Sequence, residues 1–149
     1  MIELYFDGAC EPVNPGGTAS YGWLLKKDGK IIQEGSGIVG KGHGMTNNIA
    51  EYQGIIEGIK AYLKLKTNQP LVIRGDSNLV VRMVAKDWGW NKGKTVWKPH
   101  SKIPHLKELL DQVHKLLATV NFQIQWIPRE QNNEADALSK QPLKQMGII

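Results

Sequence analysis

The chain has 149 residues, of which 41% are hydrophobic and 22% charged, as expected for a globular protein with one domain. No segment is long and apolar enough to predict a membrane span, and the single cysteine, Cys10, excludes an intramolecular disulfide. We therefore expect a cytoplasmic protein without membrane contact, whose net charge of +5 makes the placement of its basic residues informative.

The first part of the chain predicts three strands. Residues 2–7 alternate apolar and polar side chains, as a strand with one buried face does, and a loop rich in glycine and proline follows. Two further strands, about Ala19–Lys26 and Ile31–Val39, flank an Asp-Gly pair that is typical of a hairpin turn. A second glycine-rich loop, Gly40–Gly44, then ends this strand region.

Helices and single strands alternate in the rest of the chain. Apolar residues at three- and four-residue steps predict a helix from about Ile49 to Lys66. Thr46, Asn47 and Asn48 are its N-cap candidates, and Glu51 stands three residues after Asn48, as in a capping box. The later elements are a strand, a short helix, a helix, a strand and a helix, at about Leu71–Asp76, Leu79–Ala85, Leu106–Leu117, Val120–Trp126 and Asn133–Lys140.

A basic segment separates two of these helices. Seven Lys/Arg and one acid, Asp87, lie between Arg82 and Lys107, whereas the rest of the chain has twelve basic and thirteen acidic residues. Aromatic rings interleaved with lysines are typical of surfaces that contact phosphates and sugars. The residues concerned are Trp88, Trp90, Lys92, Lys94, Trp97 and Lys98. The alternatives are a solvated lysine-rich loop and, for the tryptophans, the buried core, where we place Trp23 and Trp126.

The element order βββ-α-β-α-α-β-α predicts an α/β fold. Three adjoining strands would form an antiparallel meander, and the two later strands would return through helical crossovers, parallel to the first. The expected result is a mixed five-stranded sheet with helices on both faces. We expect a single domain over residues 1–149, with its core at about 2–140 and a short C-terminal tail at 141–149.

Four acids stand where this sheet could bring them together. Asp7 and Asp76 each end a predicted strand, and the carboxyl ends of parallel neighbours meet at one edge, where open α/β sheets bind ligands. Glu51 lies in the first turn of a helix and Asp136 in the last helix, and either could point at that edge. Singly, each is more simply a capping, turn or surface acid. Clustered, they would repel one another unless divalent cations neutralise them, and oxygen ligands favour Mg²⁺ or Mn²⁺.

Each acid belongs to a short motif, and the four motifs together resemble those of the type 1 ribonuclease H family, in its order and with similar spacing. The motifs are Phe6-Asp7-Gly8-Ala9-Cys10 with Asn14-Pro15-Gly16-Gly17, Thr46-Asn47-Asn48-Ile49-Ala50-Glu51, Gly75-Asp76-Ser77, and Asn132-Asn133-Glu134-Ala135-Asp136. The resemblance covers roughly residues 2 to 140. It implies a ribonuclease H-like fold and an endonuclease that hydrolyses the RNA strand of RNA–DNA hybrids, leaving a 5′-phosphate and a 3′-hydroxyl.

The resemblance also implies the roles of the four acids. Asp7, Glu51, Asp76 and Asp136 would be catalytic and would bind two Mg²⁺ ions, for which Mn²⁺ may substitute. Two ions roughly 4 Å apart would bracket the scissile phosphate. One would lower the pKa of an attacking water and the other would stabilise the departing ribose oxygen, without a covalent protein intermediate.

The same resemblance implies contacts that distinguish RNA from DNA through the 2′-hydroxyl. The residues are Cys10 through its backbone, Asn14, Asn47, Asn48, Asn78 and Glu51 for 2′-hydroxyls, and Thr46 for a phosphate of the DNA strand. The basic segment occupies the position of the family's basic protrusion. Helix capping is the alternative for Asn47 and Asn48, and inert packing is the alternative for Cys10.

The chain departs from the family's best-known members in the loop before the last acid. Those members carry a histidine there, whereas Ile127-Pro128-Arg129-Glu130-Gln131 has none. We place Arg129 with the catalytic residues because it could take over that neighbourhood, and a surface salt bridge with Glu130 or Glu134 is the alternative. His43 is expected in a surface loop. Asn78 stands where the family often has glutamine.

The expected partner is an RNA–DNA hybrid, with double-stranded RNA as a second substrate to test, and the expected state is a monomer. Two rival functions stay open at this point. A non-catalytic nucleic-acid-binding module on the same fold would be expected to lack one or more of the acids, and all four are present. Another metal-dependent nuclease or phosphoryl-transfer enzyme of the wider superfamily would be separated by substrate tests.

Overall fold

The structure, a computed structural model, describes residues 1–149 and contains the predicted elements in the predicted order. The strands are β1 (Ile2–Glu11), β2 (Thr18–Lys27), β3 (Lys30–Lys41), β4 (Leu71–Gly75) and β5 (Phe122–Trp126). The helices are α1 (Asn47–Lys64), α2 (Asn78–Val84), α3 (Pro104–Leu117) and α4 (Asn133–Gln145), and a 3₁₀ turn covers Arg129–Gln131. None of the helices combines the length and the apolar composition that a membrane span requires.

The five strands form one mixed sheet in the order β3-β2-β1-β4-β5, which confirms the predicted fold class. β1, β2 and β3 are an antiparallel meander, while β1, β4 and β5 are parallel neighbours. The β1–β4 pairing ends where Tyr5 lies opposite Arg74. Asp7 and Asp76 each follow that last pair by two residues, so both emerge at the same edge of the sheet.

Helix α1 covers one face of the sheet and approaches β1 very closely. A Cβ atom at Gly8 would lie 2.4 Å from the backbone nitrogen of Glu51, and a Cβ atom at Gly58 would lie 2.3 Å from Leu4 Cδ1. At Gly8 the clash is with backbone, so this position requires glycine, whereas at Gly58 the side chain of Leu4 would have to move. The bare backbone at Gly8 therefore brings the first turn of α1, and Glu51 with it, against the strand that carries Asp7.

Helix α4 covers the other face and is longer than predicted. A Cβ atom at Gly22 would lie 2.4 Å from the backbone nitrogen of Ser139, which places α4 directly on β2. The sequence predicted an end near Lys140, and Pro142, just beyond it, cannot donate a helical hydrogen bond. The helix nevertheless continues through Pro142 to Gln145, since Pro142 and Leu143 are buried. The tail is therefore confined to residues 146–149.

The main hydrophobic core lies between the sheet and helices α1 and α3. The largest of its completely buried side chains include Tyr52, Phe6 and Leu110. Trp23 is half-buried and packs against this core, as predicted. The prediction for Trp126 was wrong, because β5 is an edge strand and the ring is 48% exposed. Its indole nitrogen donates a hydrogen bond to the backbone oxygen of Asp76 at 3.1 Å.

Candidate active site

Three of the four predicted acids meet at the carboxyl edge of β1 and β4. Asp7 lies in β1, Glu51 in the first turns of α1 and Asp76 directly after β4. One carboxylate oxygen from each residue lies within 4.8 Å of one from each of the other two. Asp7 and Glu51 are only 5% and 4% exposed, whereas Asp76 is half-buried and faces the surface. We call these three residues the acid cluster.

Backbone packing fixes the positions of these carboxylates. The backbone nitrogen of Gly8 donates to Asp7 Oδ1 at 2.9 Å. At the end of β4, a Cβ atom on Gly75 would lie 2.5 Å from the ring of Phe6, so β4 can present Asp76 beside β1 only because this residue is glycine. The predicted capping box between Asn48 and Glu51 is not formed: Thr46 Oγ1 caps α1 by accepting from Ile49 N at 3.2 Å. Glu51 belongs instead to the acid cluster, where burial, and then the charges of Asp7 and Asp76, raise its pKa.

Burial and mutual repulsion make the acid cluster unfavourable in its charged form. Burial, and then the negative charge of Asp76, raise the pKa of Asp7 to about 7. Burial, and then the charge of Asp7, raise the pKa of Glu51 well above its ordinary value. Glu51 Oε2 is buried and has no hydrogen-bond partner. None of the three carboxylates forms an ion pair with a basic side chain, so no direct salt bridge offsets their combined charge.

Asp136, the fourth predicted acid, lies beside the acid cluster and not within it. Its side chain projects half-buried from the first turns of α4. Its negative charge contributes to raising the pKa values of Asp7 and Asp76, although burial is the larger cause for both. One of its oxygens, Oδ2, lies 3.4 Å from Lys140 Nζ. Three of the four acids therefore lie within 4.8 Å of one another, and Asp136 lies at their flank.

Asn132 holds this region together, and the sequence reasoning gave it no role. The side chain is buried, and its Nδ2 donates to the backbone oxygen of Phe6 at 2.9 Å and to Asp76 Oδ2 at 3.3 Å. These bonds connect the start of α4 to β1 and to the acid cluster. The hydrogen bond from Asn132 lowers the pKa of Asp76, against the larger raising effect of burial. Its place in the fourth motif was the only sequence signal available.

Arg129 lies in the 3₁₀ turn before α4, exposed to solvent and near Asp76. Its positive charge lowers the pKa of Asp76, which shows that the guanidinium acts on the acid cluster. The alternative of a surface salt bridge was wrong: Arg129 pairs with neither Glu130 nor Glu134, and Glu134 instead binds Lys26 at 2.5 Å. His43 is exposed in its loop, as expected.

The polar residues predicted to contact a substrate form a rim at the start of α1. Asn14 and Asn47 are exposed and hydrogen-bonded to each other, with Asn14 Nδ2 2.8 Å from Asn47 Oδ1. Because Thr46 supplies the helix cap, the side chains of Asn47 and Asn48 are not used for capping. Cys10 is buried and its thiol donates to the backbone oxygen of Val13 at 3.2 Å, so only its backbone could meet a ligand.

Asn78 lies apart from this rim, on the exposed start of α2. Its Oδ1 accepts a hydrogen bond from Arg82 Nε at 3.2 Å. Asn78 comes two residues after Asp76, whereas Thr46, Asn47 and Asn48 come shortly before Glu51. These predicted contact residues therefore stand close in the chain to members of the acid cluster, although the sequence could not show which of them point outward.

The basic segment forms an irregular hairpin between α2 and α3, which we call the basic hairpin (residues 86–102). Trp90 pairs with Trp97 across it, and Lys98 N donates to the backbone oxygen of Gly89 at 2.7 Å. Trp88 and Trp90 are 43% and 44% exposed, so the alternative of a buried core was wrong for both. Trp97 is half-buried and packs against the core. The lysines are all exposed, namely Lys86, Lys92, Lys94, Lys98 and Lys102.

Comparison with known proteins gives the same result from sequence and from structure. A family model described as reverse transcriptase-like matches residues 5–142. A ribonuclease H of Thermoanaerobacter sp. (strain X514) is 32% identical over 152 aligned residues, which cover 97% of this chain and 90% of that protein.

Among solved structures, RNase H1 from the halophilic archaeon Halobacterium salinarum NRC-1 has a TM-score of 0.79 at 31% identity, covering 97% of this chain and 98% of that chain. LC11-RNase H1, solved in complex with an RNA/DNA hybrid, has a TM-score of 0.76 at 26% identity and covers 93% of both chains. Since these matches run through nearly the whole chain and include the strands that carry the acids, the chain belongs to the type 1 ribonuclease H family.

Proposed function

We propose that the protein is a metal-dependent endonuclease that hydrolyses the RNA strand of RNA–DNA hybrids and leaves 5′-phosphate and 3′-hydroxyl ends. The observation that carries this proposal is the acid cluster of Asp7, Glu51 and Asp76, buried at one sheet edge and without a basic partner. The hybrid-bound LC11 relative supports the choice of substrate. We further propose that residues 1–149 act as a single domain and as a monomer.

The side chains present fit a hard divalent cation. Carboxylate oxygens are the ligands that Mg²⁺ and Mn²⁺ prefer. Glu51 Oε2 is buried without a hydrogen-bond partner, so a cation could bind it. Asp7, Glu51 and Asp76 would hold the metal, with Asp136 joining from the flank, and the proposed occupancy is two Mg²⁺ ions. When bound, such ions lower the pKa of a bound water and stabilise negative charge on the reacting phosphate.

The protein's own residues then orient the acids and place the substrate. Asn132 holds Asp76 toward Asp7 by bonding both Asp76 and β1, and the Gly8 N–H keeps Asp7 Oδ1 in place. Arg129 is exposed beside Asp76, so its positive charge can stabilise the charge that builds up on a phosphate there, and a guanidinium offers hydrogen-bond donors and no acceptor. Its role is therefore electrostatic and it does not transfer a proton.

Recognition of the hybrid divides between the rim and the basic hairpin. The Asn14–Asn47 pair, Asn48, Asn78 and the backbone of Cys10 offer donors and acceptors for 2′-hydroxyls, and Thr46 lies beside them for a phosphate. The exposed tryptophans and lysines of the basic hairpin supply stacking surfaces and phosphate contacts, which position a nucleic acid without reading its sequence.

One digestion experiment tests this proposal. End-labelled RNA–DNA hybrid, duplex RNA and duplex DNA are incubated side by side with the protein and Mg²⁺, with EDTA and the Asp7→Asn variant as controls. We expect RNA fragments with 5′-phosphates from the hybrid only, and no products in either control. Cleavage of duplex DNA would instead support another nuclease of the superfamily, tight binding without cleavage would support a non-catalytic module, and cleavage of duplex RNA would widen the substrate range.

A further inference from the structure

A single hydrogen bond joins the helix of the acid cluster to the basic hairpin. Tyr52 directly follows Glu51 in α1 and is completely buried. Its hydroxyl lies 2.7 Å from Nε2 of His100, and the two rings meet edge to face, with centroids 5.7 Å apart and an interplanar angle of 88°. His100 stands at the return end of the hairpin, just before α3. This contact therefore connects the two regions that the proposed function needs.

The tautomer of His100 decides the direction of this hydrogen bond. A buried tyrosine hydroxyl requires a hydrogen-bond partner, and Nε2 of His100 lies within bonding distance of it. Burial also lowers the pKa of His100, which keeps the imidazole neutral near pH 7. A neutral imidazole can accept at Nε2 when Nδ1 carries the proton. Near pH 7 this contact is therefore a hydrogen bond between two neutral groups, in which the tyrosine hydroxyl can donate to Nε2.

The backbone at His100 indicates that this residue is present for its side chain. His100 has a φ of +51°, a left-handed conformation that residues with a Cβ atom adopt at a cost and that glycine adopts freely. Its backbone oxygen accepts from Ile103 N at 3.0 Å, which leads the chain into α3. A glycine would make the same turn more easily but could not bind Tyr52. The side-chain contact is what a histidine adds at this position.

A second contact of the hairpin, through Trp97 on the same return strand, is less specific. Trp97 packs against His114 of α3 with ring centroids 5.3 Å apart, and within the hairpin Lys86 Nζ lies 4.9 Å from the centre of the Trp97 ring. The Trp97–His114 contact joins the hairpin to α3, and neither contact involves a residue of α1. The bond between His100 and Tyr52 is the polar contact that relates the hairpin to α1, and hence to Glu51.

We infer that His100 is a positioning residue, which holds the basic hairpin in a fixed relation to α1 so that a bound hybrid reaches the acid cluster in one register. This inference rests on the proposed function of the hairpin as a nucleic-acid contact. His100 and Tyr52 act through the hairpin and do not touch the reacting atoms. Breaking their bond should leave the chemistry intact and loosen the grip on the substrate.

The test compares Tyr52→Phe, His100→Ala and the double variant with two matched controls. Tyr62→Phe removes a hydroxyl from the same helix whose partner, the backbone oxygen of Gln69, is remote from the hairpin. His105→Ala removes an exposed histidine five residues after His100. Steady-state kinetics on the hybrid give KM and kcat, and fluorescence anisotropy with a labelled hybrid in Ca²⁺ gives Kd without turnover.

We expect each test variant to raise KM and Kd about fivefold, the factor that loss of one ordinary hydrogen bond produces, with kcat within about twofold of the wild type. The double variant should be no worse than either single variant, because both remove the same bond. His100→Gln should recover part of the loss, since its amide oxygen can accept from Tyr52. The controls should match the wild type in KM and Kd.

Two failures can be told apart. If the wild type does not cut the hybrid, the proposed function is wrong, and the anisotropy comparison still decides the inference. If Tyr52→Phe and His100→Ala leave Kd at the level of the controls, the positioning role is wrong whatever the activity. A fall in kcat and in melting temperature with unchanged KM would likewise overturn it, because that pattern belongs to a bond that only supports folding.

Discussion

The acid cluster and the basic hairpin differ in the sign of their charge and in the exposure of that charge to solvent. Asp7 and Glu51 are buried without a basic partner. Burial is the main cause that raises the pKa of each, and the charge of Asp76 adds to it for Asp7 and the charge of Asp7 for Glu51. The lysines of the hairpin are exposed, so water solvates their charges at little cost. The buried acids are held by closely packed neighbours, here Gly8 and Asn132. The exposed lysines need only a hairpin that is attached to the rest of the domain. The chemistry and the binding of this enzyme therefore depend on different kinds of structure.

The acids should show the largest effect. Asp7→Asn, Glu51→Gln, Asp76→Asn and Asp136→Asn should each lower kcat by roughly 10²–10⁴-fold, because each removes a charge that would hold the catalytic metal. Each variant should remain folded, and in EDTA some should melt at a higher temperature than the wild type, since a repelling charge is gone. Initial rates and thermal melts measure both effects. Near-native turnover in two of the four would contradict a shared site.

Neutralising the basic hairpin should weaken binding and spare the chemistry. The variant Lys92→Gln/Lys94→Gln/Lys98→Gln should raise Kd for the hybrid by roughly ten- to a hundredfold near physiological salt, because fewer phosphates are neutralised. The slope of log K against log salt should fall by about one for each phosphate that a lysine no longer neutralises. The kcat at saturating hybrid should change little. An unchanged salt slope would show that these lysines only solvate a loop.

Arg129 shares one property with each region. It is an exposed cation like the lysines of the hairpin, and it lies beside the acid cluster. Arg129→Ala should lower kcat about tenfold with little change in KM, if its charge acts in or after the transition state. Arg129→Lys should retain part of the activity, because the charge is kept. His43→Ala is the control, since it removes an exposed loop side chain. Wild-type kinetics in Arg129→Ala would remove Arg129 from the catalytic residues.

The smallest expected effect is a dependence of stability on pH in the metal-free protein. The pKa of Asp7 is about 7 in the folded state, against an ordinary value of 3.8. The folded state therefore keeps a proton that the unfolded chain releases above that ordinary value. The stabilisation is complete below about pH 4 and is lost as the pH rises toward 7, and Glu51 acts in the same direction.

Thermal melts in EDTA between pH 4.5 and 8 measure this dependence. The loss should be about 1–3 kcal/mol, or roughly 3–9 °C in melting temperature. Asp7→Asn should show a flatter profile than the wild type, and added Mg²⁺ should restore stability at the alkaline end. Identical profiles for the wild type and Asp7→Asn would mean that Asp7 titrates normally.

Much of the fold and the outline of the site followed from local patterns. Local sequence patterns predicted every strand and α-helix, and the helical crossovers predicted that β4 and β5 run parallel to β1. That topology alone places Asp7 and Asp76 at one edge. The convergence of Glu51 depends in addition on the contact between Gly8 and α1, which no local pattern shows.

The features that were missed depend on contacts between distant parts of the chain. Trp126 has the alternation of a core strand, but strand order makes β5 an edge. Pro142 favours a helix end locally, and the burial of Leu143 outweighs that preference. Asn132 resembles a capping residue until its hydrogen bonds to Phe6 and Asp76 are seen. The same holds for His100, whose partner Tyr52 lies 48 residues away.

The bare backbone at Gly8 also limits how this site could be redesigned. To fit a larger cation into the proposed metal site, Glu51 would have to move away from Asp7. Any side chain at position 8 would meet the backbone of Ala50 and Glu51 at under 3 Å and would displace the whole start of α1, together with Thr46 and the rim. Shortening Glu51 to aspartate would change the same spacing and leave that helix in place. The spacing within the acid cluster can therefore be changed by substituting its side chains, but not by moving the backbone at Gly8.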